Sequence, residues 1–184
     1  IFCKCSSLTK ISIPSSIKSI GNYAFYDCSS LNQIQIPSSV SSIGVYCFSK
    51  CSSIKKIKIP DSMTFIPSNM FSECSSLTDV NIPSSVTMIK ENAFSECCSL
   101  KTVVIPSSVS SIESFAFNKC VSLQKITIPS SVVSIGSYTF NGCKALQQIT
   151  IPSFLTSIED YTFSECSSLK NVDFPTSVKK IGKY

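Results

Sequence analysis

Residues 31–53 read LNQIQIPSSVSSIGVYCFSKCSS, and eight such 23-residue units account for the whole 184-residue chain. Three residue types keep this interval from one end to the other. The prolines are Pro14, Pro37, Pro60, Pro83, Pro106, Pro129, Pro152 and Pro175. The phenylalanines are Phe2, Phe25, Phe48, Phe71, Phe94, Phe117, Phe140 and Phe163, and the cysteines are Cys5, Cys28, Cys51, Cys74, Cys97, Cys120, Cys143 and Cys166. A fixed period of this length predicts a solenoid, in which each coil packs only on its neighbours.

The first part of the unit predicts a β-strand. Positions within the unit run from 1 at Leu31 to 23 at Ser53. Ile34 and Ile36 alternate with glutamines, which is the pattern of a half-buried strand. Pro37 ends the strand because proline has no N–H to add to the ladder. We therefore expect the strand of each coil to pair with the strand of the next.

The second part of the unit returns the chain to the core. Gly44 allows a tight bend, and the run Tyr46-Cys47-Phe48 predicts a short helical turn. The predicted inward set is Leu31, Ile34, Ile36, Val40, Ile43, Cys47, Phe48 and Cys51. One coil alone buries too little apolar surface to fold, so we expect both end coils to expose a flat apolar side and to favour end-to-end association.

The unit resembles a leucine-rich repeat, and more narrowly the 23-residue BspA-like, or Treponema pallidum-type, class. Residues 100–112 carry the motif clearly, as LKTVVIPSSVSSI, and Ala116-Phe117 with Cys120 completes it. The departures are local: Ile54 replaces the leucine, Phe174 the isoleucine before proline, and Pro67 the glycine at position 14.

This resemblance implies an α/β solenoid of eight coils, with a parallel β-sheet on the concave side and short helical turns or irregular structure on the convex side. It covers residues 1–184 as a single array, and because both ends stop inside a unit we expect a fragment of a longer protein. Many relatives occur in host-associated bacteria and mucosal protist parasites and resemble surface adhesins. The resemblance therefore implies a cell-surface location and a non-enzymatic protein-binding function.

Composition excludes several other functions. There is no histidine, so Ser-His-Asp and Cys-His catalysis cannot be assembled within the chain. No phosphate-binding glycine loop is present, and we expect no cofactor. The net charge of +5 comes from lysine without arginine, which does not favour nucleic-acid binding. No apolar run is long enough to predict membrane insertion.

The cysteine pattern favours packing. Cysteines at the same position in adjacent coils lie close enough for disulfides, but a column of buried free thiols explains all eight more simply. Cys47 falls in a core column, whereas Cys3 and Cys98 fall in polar columns and are the predicted exposed thiols. Zinc binding by Cys3, Cys5, Cys47 and Cys51 is the alternative, and packing is favoured over it. Many unpaired thiols indicate a reducing, intracellular compartment, which conflicts with the adhesin resemblance.

Two sets of residues are candidates for binding a protein partner. The outward positions of the predicted strands vary while the core columns do not, which suits either recognition or a merely soluble face. The candidates on this face are Lys10, Gln33, Gln35, Lys56, Lys58, Asp79, Val104 and Lys125, and the lysines favour an acidic partner. The second set is Phe65 and Met88, which replace serine in adjacent coils and predict either an apolar contact site or local repacking. Phe154 also replaces a serine after Pro152.

The sequence thus predicts a protein-interaction module acting as a solenoid scaffold or as an adhesin. The alternative is an intracellular structural component of a larger assembly.

Overall fold

The computed structural model describes residues 1–184 as a parallel β-solenoid whose coils each contribute short strands. The strands are β1 (Lys10–Ser12), β2 (Ser19–Ile20), β3 (Gln33–Gln35), β4 (Ser42–Ile43), β5 (Lys56–Lys58), β6 (Phe65–Ile66), β7 (Asp79–Asn81), β8 (Met88–Ile89), β9 (Thr102–Val104), β10 (Ser111–Ile112), β11 (Lys125–Thr127), β12 (Ser134–Ile135), β13 (Ser157–Ile158) and β14 (Lys180–Ile181). Every strand pair is parallel and joins residues 23 apart, as Ile11 joins Ile34. The predicted register of one unit per coil is therefore present.

The strands form two sheets on different sides of the coil. The first sheet contains the three-residue strands, paired as β1–β3, β5–β7 and β9–β11, and isolated bridges continue it from Lys125 through Gln148 to Asn171. The second sheet contains the two-residue strands, in the segments β2–β4, β6–β8–β10–β12 and β13–β14. The expectation that each strand pairs with the next is thus met only within segments.

No helix is present, so the predicted α/β class with short helical turns is wrong. The run that predicted a helical turn belongs to the turn side, which comprises positions 14–21 of each coil. There the backbone is left-handed at positions 16 and 20, with φ of 57° at Tyr46 and 63° at Lys50. The amides of Tyr46, Phe48 and Lys50 donate to carbonyls of the next coil at 3.2, 3.0 and 2.8 Å. Because these amides bond between coils, they are not available for helical i→i−4 bonds.

The core is one continuous cluster of 45 buried apolar residues. Of the inward set predicted for residues 31–53, Ile34 and Ile36 are only partly buried, and the remaining six are buried. The eight phenylalanines at position 18 stack in an unbroken column, with ring centroids 5.4–5.8 Å apart. Each coil therefore covers the apolar side of the one before it.

The cysteines at position 21 form the expected column of thiols, and all eleven cysteines of the chain are free. Each thiol from Cys28 to Cys166 donates to the carbonyl of the phenylalanine 26 residues earlier, as Cys74 Sγ does to Phe48 O at 3.0 Å. A buried carbonyl without a hydrogen-bond donor would cost free energy, so the S–H donor explains why cysteine recurs at this position. Cys47 is buried, as predicted.

Proline causes one of the two interruptions in the second sheet. At position 14 the amide of Gly44 donates to Ile20 O at 2.8 Å, and the amide of Lys90 donates to Ile66 O at 3.0 Å. Pro67 occupies the same position in the coil between them and has no N–H to offer to Ile43. Strands β4 and β6 accordingly belong to separate segments.

The other interruption lies between β12 and β13, next to Phe154. At position 9, serine hydroxyls donate to the carbonyl of position 10 in the preceding coil, as Ser131 does to Val109 at 2.7 Å and Ser177 to Leu155 at 2.8 Å. Phe154 cannot make this bond to Val132.

Candidate functional site

Six of the predicted binding residues meet in one open trough of about 870 Å³ on the outer face of the first sheet. They are Lys10, Gln33, Gln35, Lys56, Lys58 and Asp79. These side chains share one face because directions alternate along a β-strand: positions 3 and 5 point outward, while position 4 points into the core. Strand β5 illustrates this, since Lys56 and Lys58 are exposed and Ile57 between them is buried. We call this outer surface, made by positions 2–8 of all coils, the first-sheet face.

The trough lies over a discontinuity in the first sheet. No hydrogen bonds pair β3 with β5, whereas β1 pairs with β3 and β5 pairs with β7. Residues of both unpaired strands line the trough, together with Asn32 and Asn81. The trough therefore offers amide and ammonium donors from four consecutive coils.

Val104 and Lys125 lie on the same face but outside the trough. They belong to the paired strands β9 and β11, in which Val104 is opposite Thr127 and Lys125 is opposite Thr102. Val104 is 72 % exposed, although positions 5 of the other coils are all polar. The first-sheet face therefore continues beyond the trough and carries exposed apolar side chains there, namely Val104 and, at position 6, Phe174.

Two of the three lysines of the trough, Lys56 and Lys58, already have partners within the chain. Lys56 Nζ lies 3.6 Å from Asp79 Oδ2, and Lys58 Nζ lies 4.0 Å from Asp61 Oδ2. All four side chains are more than 60 % exposed, so each pair contributes about 0–1 kcal/mol and opens easily. Neighbouring carboxylates thus relieve the repulsion between the like charges of Lys56 and Lys58, and either lysine can exchange its partner at little cost.

Phe65 and Met88 are neighbours, as predicted, but the structure does not bring them to the trough. They are directly paired in β6 and β8 of the second sheet. Phe65 is 41 % exposed, and Lys90 Nζ lies 5.6 Å from the centre of its ring. Such a cation–π contact covers part of the ring and contributes about 0.5–1 kcal/mol at an exposed site. The predicted residues therefore form two separate candidate surfaces.

A third apolar surface was only partly visible in the sequence. Phe154 is 66 % exposed and Val133 is 54 % exposed. They flank the interruption between β12 and β13, where the amide of Thr156 does not reach Val133 O, unlike the equivalent bond from Ser110 to Thr87 O at 2.9 Å. The replacement of serine at Phe154 was the available signal, but its link to a lost hydrogen bond required the structure.

The thiols differ sharply in exposure. Cys3 is exposed, as predicted, whereas Cys98, which was also predicted to be exposed, is half-buried. Cys5 is exposed although it belongs to the cysteine column. Burial raises the pKa of Cys74 to about 12, and burial raises the pKa of Cys98 as well. No group of three or more metal-binding side chains is positioned to hold a metal ion. The structure also contains no helix with the length and apolar character needed to cross a bilayer.

These features define a class of protein: a β-coil solenoid with a constant core and a variable outer strand face. The sequence matches the family model described as the BspA-type leucine-rich repeat region, with six copies over residues 1–120 and 89–184. The chain therefore belongs to the BspA-type leucine-rich repeat family. A comparison with curated proteins finds no match.

Solved structures agree with this assignment. A leucine-rich repeat protein from Bacteroides ovatus is 27% identical with a TM-score of 0.66, over 98% of this chain and 64% of that protein. The T. pallidum leucine-rich repeat protein is 26% identical with a TM-score of 0.73, over 94% of this chain and 72% of that one. A leucine-rich repeat protein from Eubacterium ventriosum is 32% identical with a TM-score of 0.68, over 73% of this chain and 37% of that one. The chain thus spans less than two thirds of the length of the B. ovatus protein.

Proposed function

We propose that the chain is a non-enzymatic protein-binding module that uses its first-sheet face, as a scaffold or as an adhesin. The observation that carries this proposal is the contrast between constant and variable positions on one strand. Position 4 is Ile or Val in every coil, whereas positions 3 and 5 include lysine, glutamine, aspartate, asparagine, serine, threonine and valine. A rigid frame with variable outward side chains is what a recognition surface needs.

An acidic protein partner fits the trough best. Lys10, Lys56 and Lys58 line it against a single carboxylate, that of Asp79. Their exposed pairs with Asp79 and Asp61 are weak, so an incoming carboxylate can replace them. Contacts of this kind act mainly on the association rate and weaken with salt.

A photo-crosslinking residue placed in turn at two positions tests the proposal. Gln35 lies in the trough, and Ser134 is an exposed residue of β12 in the second sheet. Crosslinked proteins should be recovered from Gln35 and be reduced by Lys56→Glu with Lys58→Glu. Equal recovery from both positions, unaffected by the two substitutions, would count against binding at this face.

Intracellular scaffolding is the second candidate, and the thiol column favours it. Seven thiols donate hydrogen bonds to backbone carbonyls, and a disulfide would remove those donors. Free thiols persist in reducing compartments, whereas the adhesin alternative implies a cell-surface location. Alkylation of the protein in intact cells, followed by mass spectrometry, distinguishes the two functions. Reduced column cysteines support the intracellular scaffold, and disulfides between column cysteines support the cell-surface adhesin.

End-to-end association is a further proposal for this 184-residue segment. Interior amides at positions 16, 18 and 20 donate to the following coil, as those of Tyr138, Phe140 and Gly142 do. In the coil that contains the partly buried Phe163, the amide of Tyr161 donates to Lys183 O at 2.9 Å, whereas the amides of Phe163 and Glu165 make no bond of this kind. Association through this side should persist at high salt, because it depends on apolar burial and not on charge. Light scattering at two salt concentrations tests it, and a salt-independent monomer would contradict it.

A further inference from the structure

The charged side chains are segregated between two sides of the solenoid. The first-sheet face has seven lysines against three aspartates, a net charge of +4: Lys10, Lys55, Lys56, Lys58, Lys101, Lys125 and Lys170, with Asp61, Asp79 and Asp173. The turn side has five lysines against eight acidic residues, a net charge of −3: Lys4, Lys50, Lys90, Lys119 and Lys183, with Asp27, Glu73, Glu91, Glu96, Glu113, Glu159, Asp160 and Glu165. One side of the molecule is thus the electrostatic complement of another.

The two sides also share one repeat distance. Residues at position 3 and residues at position 20 both advance by one coil for every 23 residues. When two solenoids lie side by side with parallel axes, the position-3 row of one and the position-20 row of the other therefore have the same spacing. If a side chain of one molecule is level with a side chain of the other in one coil, the corresponding side chains are level in every other coil of the contact.

Position 20 carries its charges on a well-fixed backbone. It has positive φ in every coil, and its amide donates to the next coil, as Lys119 N does to Asn141 O at 2.7 Å. Along this row Lys50 pairs with Glu73 at 3.7 Å, and Lys119 pairs with Glu96 at 3.4 Å. These pairs are exposed, so a neighbouring molecule can reach them.

One alignment matches the two rows without placing like charges together. Lys56, Asp79 and Lys125 lie at relative heights of zero, one and three coils on the first-sheet face. Residues of opposite charge lie at the same relative heights on the turn side, namely Asp27, Lys50 and Glu96. The uncharged Gln33, Thr102, Gln148 and Asn171 face Lys4, Glu73, Lys119 and Gly142 of the other row. Lys10 and Glu165 lie outside the seven coils that overlap in this alignment.

We infer that the preferred partner of the first-sheet face is the turn side of a second copy of this chain, held by side-by-side contact of solenoids with parallel axes. The inference rests on the proposed use of the first-sheet face for binding and names its partner. Because the two contacting surfaces differ, the contact is heterologous and leaves one of each surface free on every pair. Association therefore continues beyond a dimer, into rings or lateral arrays.

Two charge-reversal variants provide the test. The first carries Lys56→Glu and Lys125→Glu, and the second carries Asp27→Lys and Glu96→Lys. Each new residue is of a type and sign that its row already tolerates, since Asp79 lies in the first row and Lys4, Lys50 and Lys119 lie at positive φ in the second. A control, Lys18→Glu with Lys179→Glu, makes the same change in net charge as the first variant at exposed residues outside both rows.

Sedimentation velocity is measured at about 0.01 M and about 0.15 M salt, where the Debye lengths are roughly 30 and 8 Å. The parent protein and the control should form oligomers larger than dimers at low salt and fewer at high salt. Each reversal variant alone should associate at least about tenfold more weakly, because two of its three matched charge pairs then have the same sign. Mixing the two variants should restore association, since each supplies the charge that the other has lost.

The mixture decides the outcome. A parent protein that stays monomeric at low salt, or a mixture that associates no better than its components, overturns the inference. Oligomers that are unaffected by reversal and by salt would also overturn it, because they would indicate contact through the coil ends. Crosslinking from Gln35 to a different protein, with no self-association, would leave the proposed function intact while refuting the second copy as partner.

Discussion

The turn side and the second sheet are built from the same repeat, yet only the turn side is continuous. Its phenylalanine column stacks through all eight coils, from Phe2 to Phe163. The second sheet is interrupted between β4 and β6 and again between β12 and β13. Each interruption lies beside an exposed phenylalanine, Phe65 or Phe154. The comparison teaches that the turn side holds the coils together and that strand pairing in the second sheet is dispensable.

High pH should break the turn side first and produce the largest effect. Burial raises the pKa of Cys47 and Cys74 to about 12 and that of Cys166 to about 11, from the ordinary 9.0. Between the ordinary pKa and the raised pKa the folded state binds more protons than the unfolded state. The free energy of unfolding therefore falls as pH rises above about 9, and it does not depend on these thiols below that pH. Each buried thiol contributes about 1.4 kcal/mol per pH unit, and the column should therefore unfold completely in alkali.

Denaturant melts from pH 8 to 11 measure this dependence. Cys74→Ala removes one titrating thiol and should make the slope shallower by about 1.4 kcal/mol per pH unit. Phe65→Ala, which removes no thiol, should leave the slope unchanged. A stability that does not vary between pH 8 and 11 would show that buried thiols do not hold the coils together.

Truncating one ring of the phenylalanine column gives the next largest effect. Phe94 is fully buried between Phe71 and Phe117, so Phe94→Ala should cost about 3–5 kcal/mol. The matched control is Phe65→Ala, which makes the same chemical change at an exposed ring of the second sheet and should cost less than about 1 kcal/mol. Urea midpoints at unchanged m-value report both, and equal losses would contradict the comparison.

Restoring serine at the second interruption should stabilise the protein slightly. Phe154→Ser returns the hydroxyl that can donate to Val132 O, as Ser131 does to Val109 O, and should add about 0.5–1.5 kcal/mol. Phe65→Ser restores the usual residue of its column too, but position 12 has no such backbone bond, so its effect should stay within about 0.5 kcal/mol. If the two substitutions shift the urea midpoint equally, the lost hydroxyl is not what distinguishes the Phe154 coil.

Differences among the exposed thiols are the smallest effect expected. Under a short pulse of alkylating reagent, Cys3 and Cys5 should react first, and Cys98 should react more slowly because partial burial raises its pKa. Column thiols such as Cys97 should react only after denaturation. Peptide mass spectrometry gives the order, and early labelling of Cys97 would mean that the turn side opens readily.

Most of the fold could be predicted from the 23-residue interval, which determines both the register and the inward columns. The backbone conformation of Tyr46-Cys47-Phe48 could not, and the helical turn predicted there is wrong, because a short apolar run does not reveal that its amides bond to the next coil. Pro67 was recognisable as a departure, but its consequence depends on which carbonyl would have received the missing N–H. The exposure of Cys5 was not predicted, because its repeat position is the one that holds the core cysteines.

The candidate site was predicted in part. Alternation along the strands correctly grouped Lys10, Gln33 and Gln35 with the lysines of β5, because period-2 patterns define a face. The sequence did not reveal that Lys56 and Lys58 have carboxylate partners, since those depend on side-chain reach between and within coils. The opposite charge of the turn side also became meaningful only once positions 14–21 were seen to form one side of the molecule.

Native-state hydrogen exchange at the junctions between coils tests the central claim most directly, because it reads each backbone amide separately. The amides of Phe48 and Phe140 donate to the following coil at 3.0 Å on the turn side, and those of Thr64 and Thr156 lie at the two interruptions of the second sheet. The account predicts slow exchange at Phe48 and Phe140 and fast exchange at Thr64 and Thr156. Equal protection of all four amides would contradict it, because the coils would then be held together as firmly by the second sheet as by the turn side.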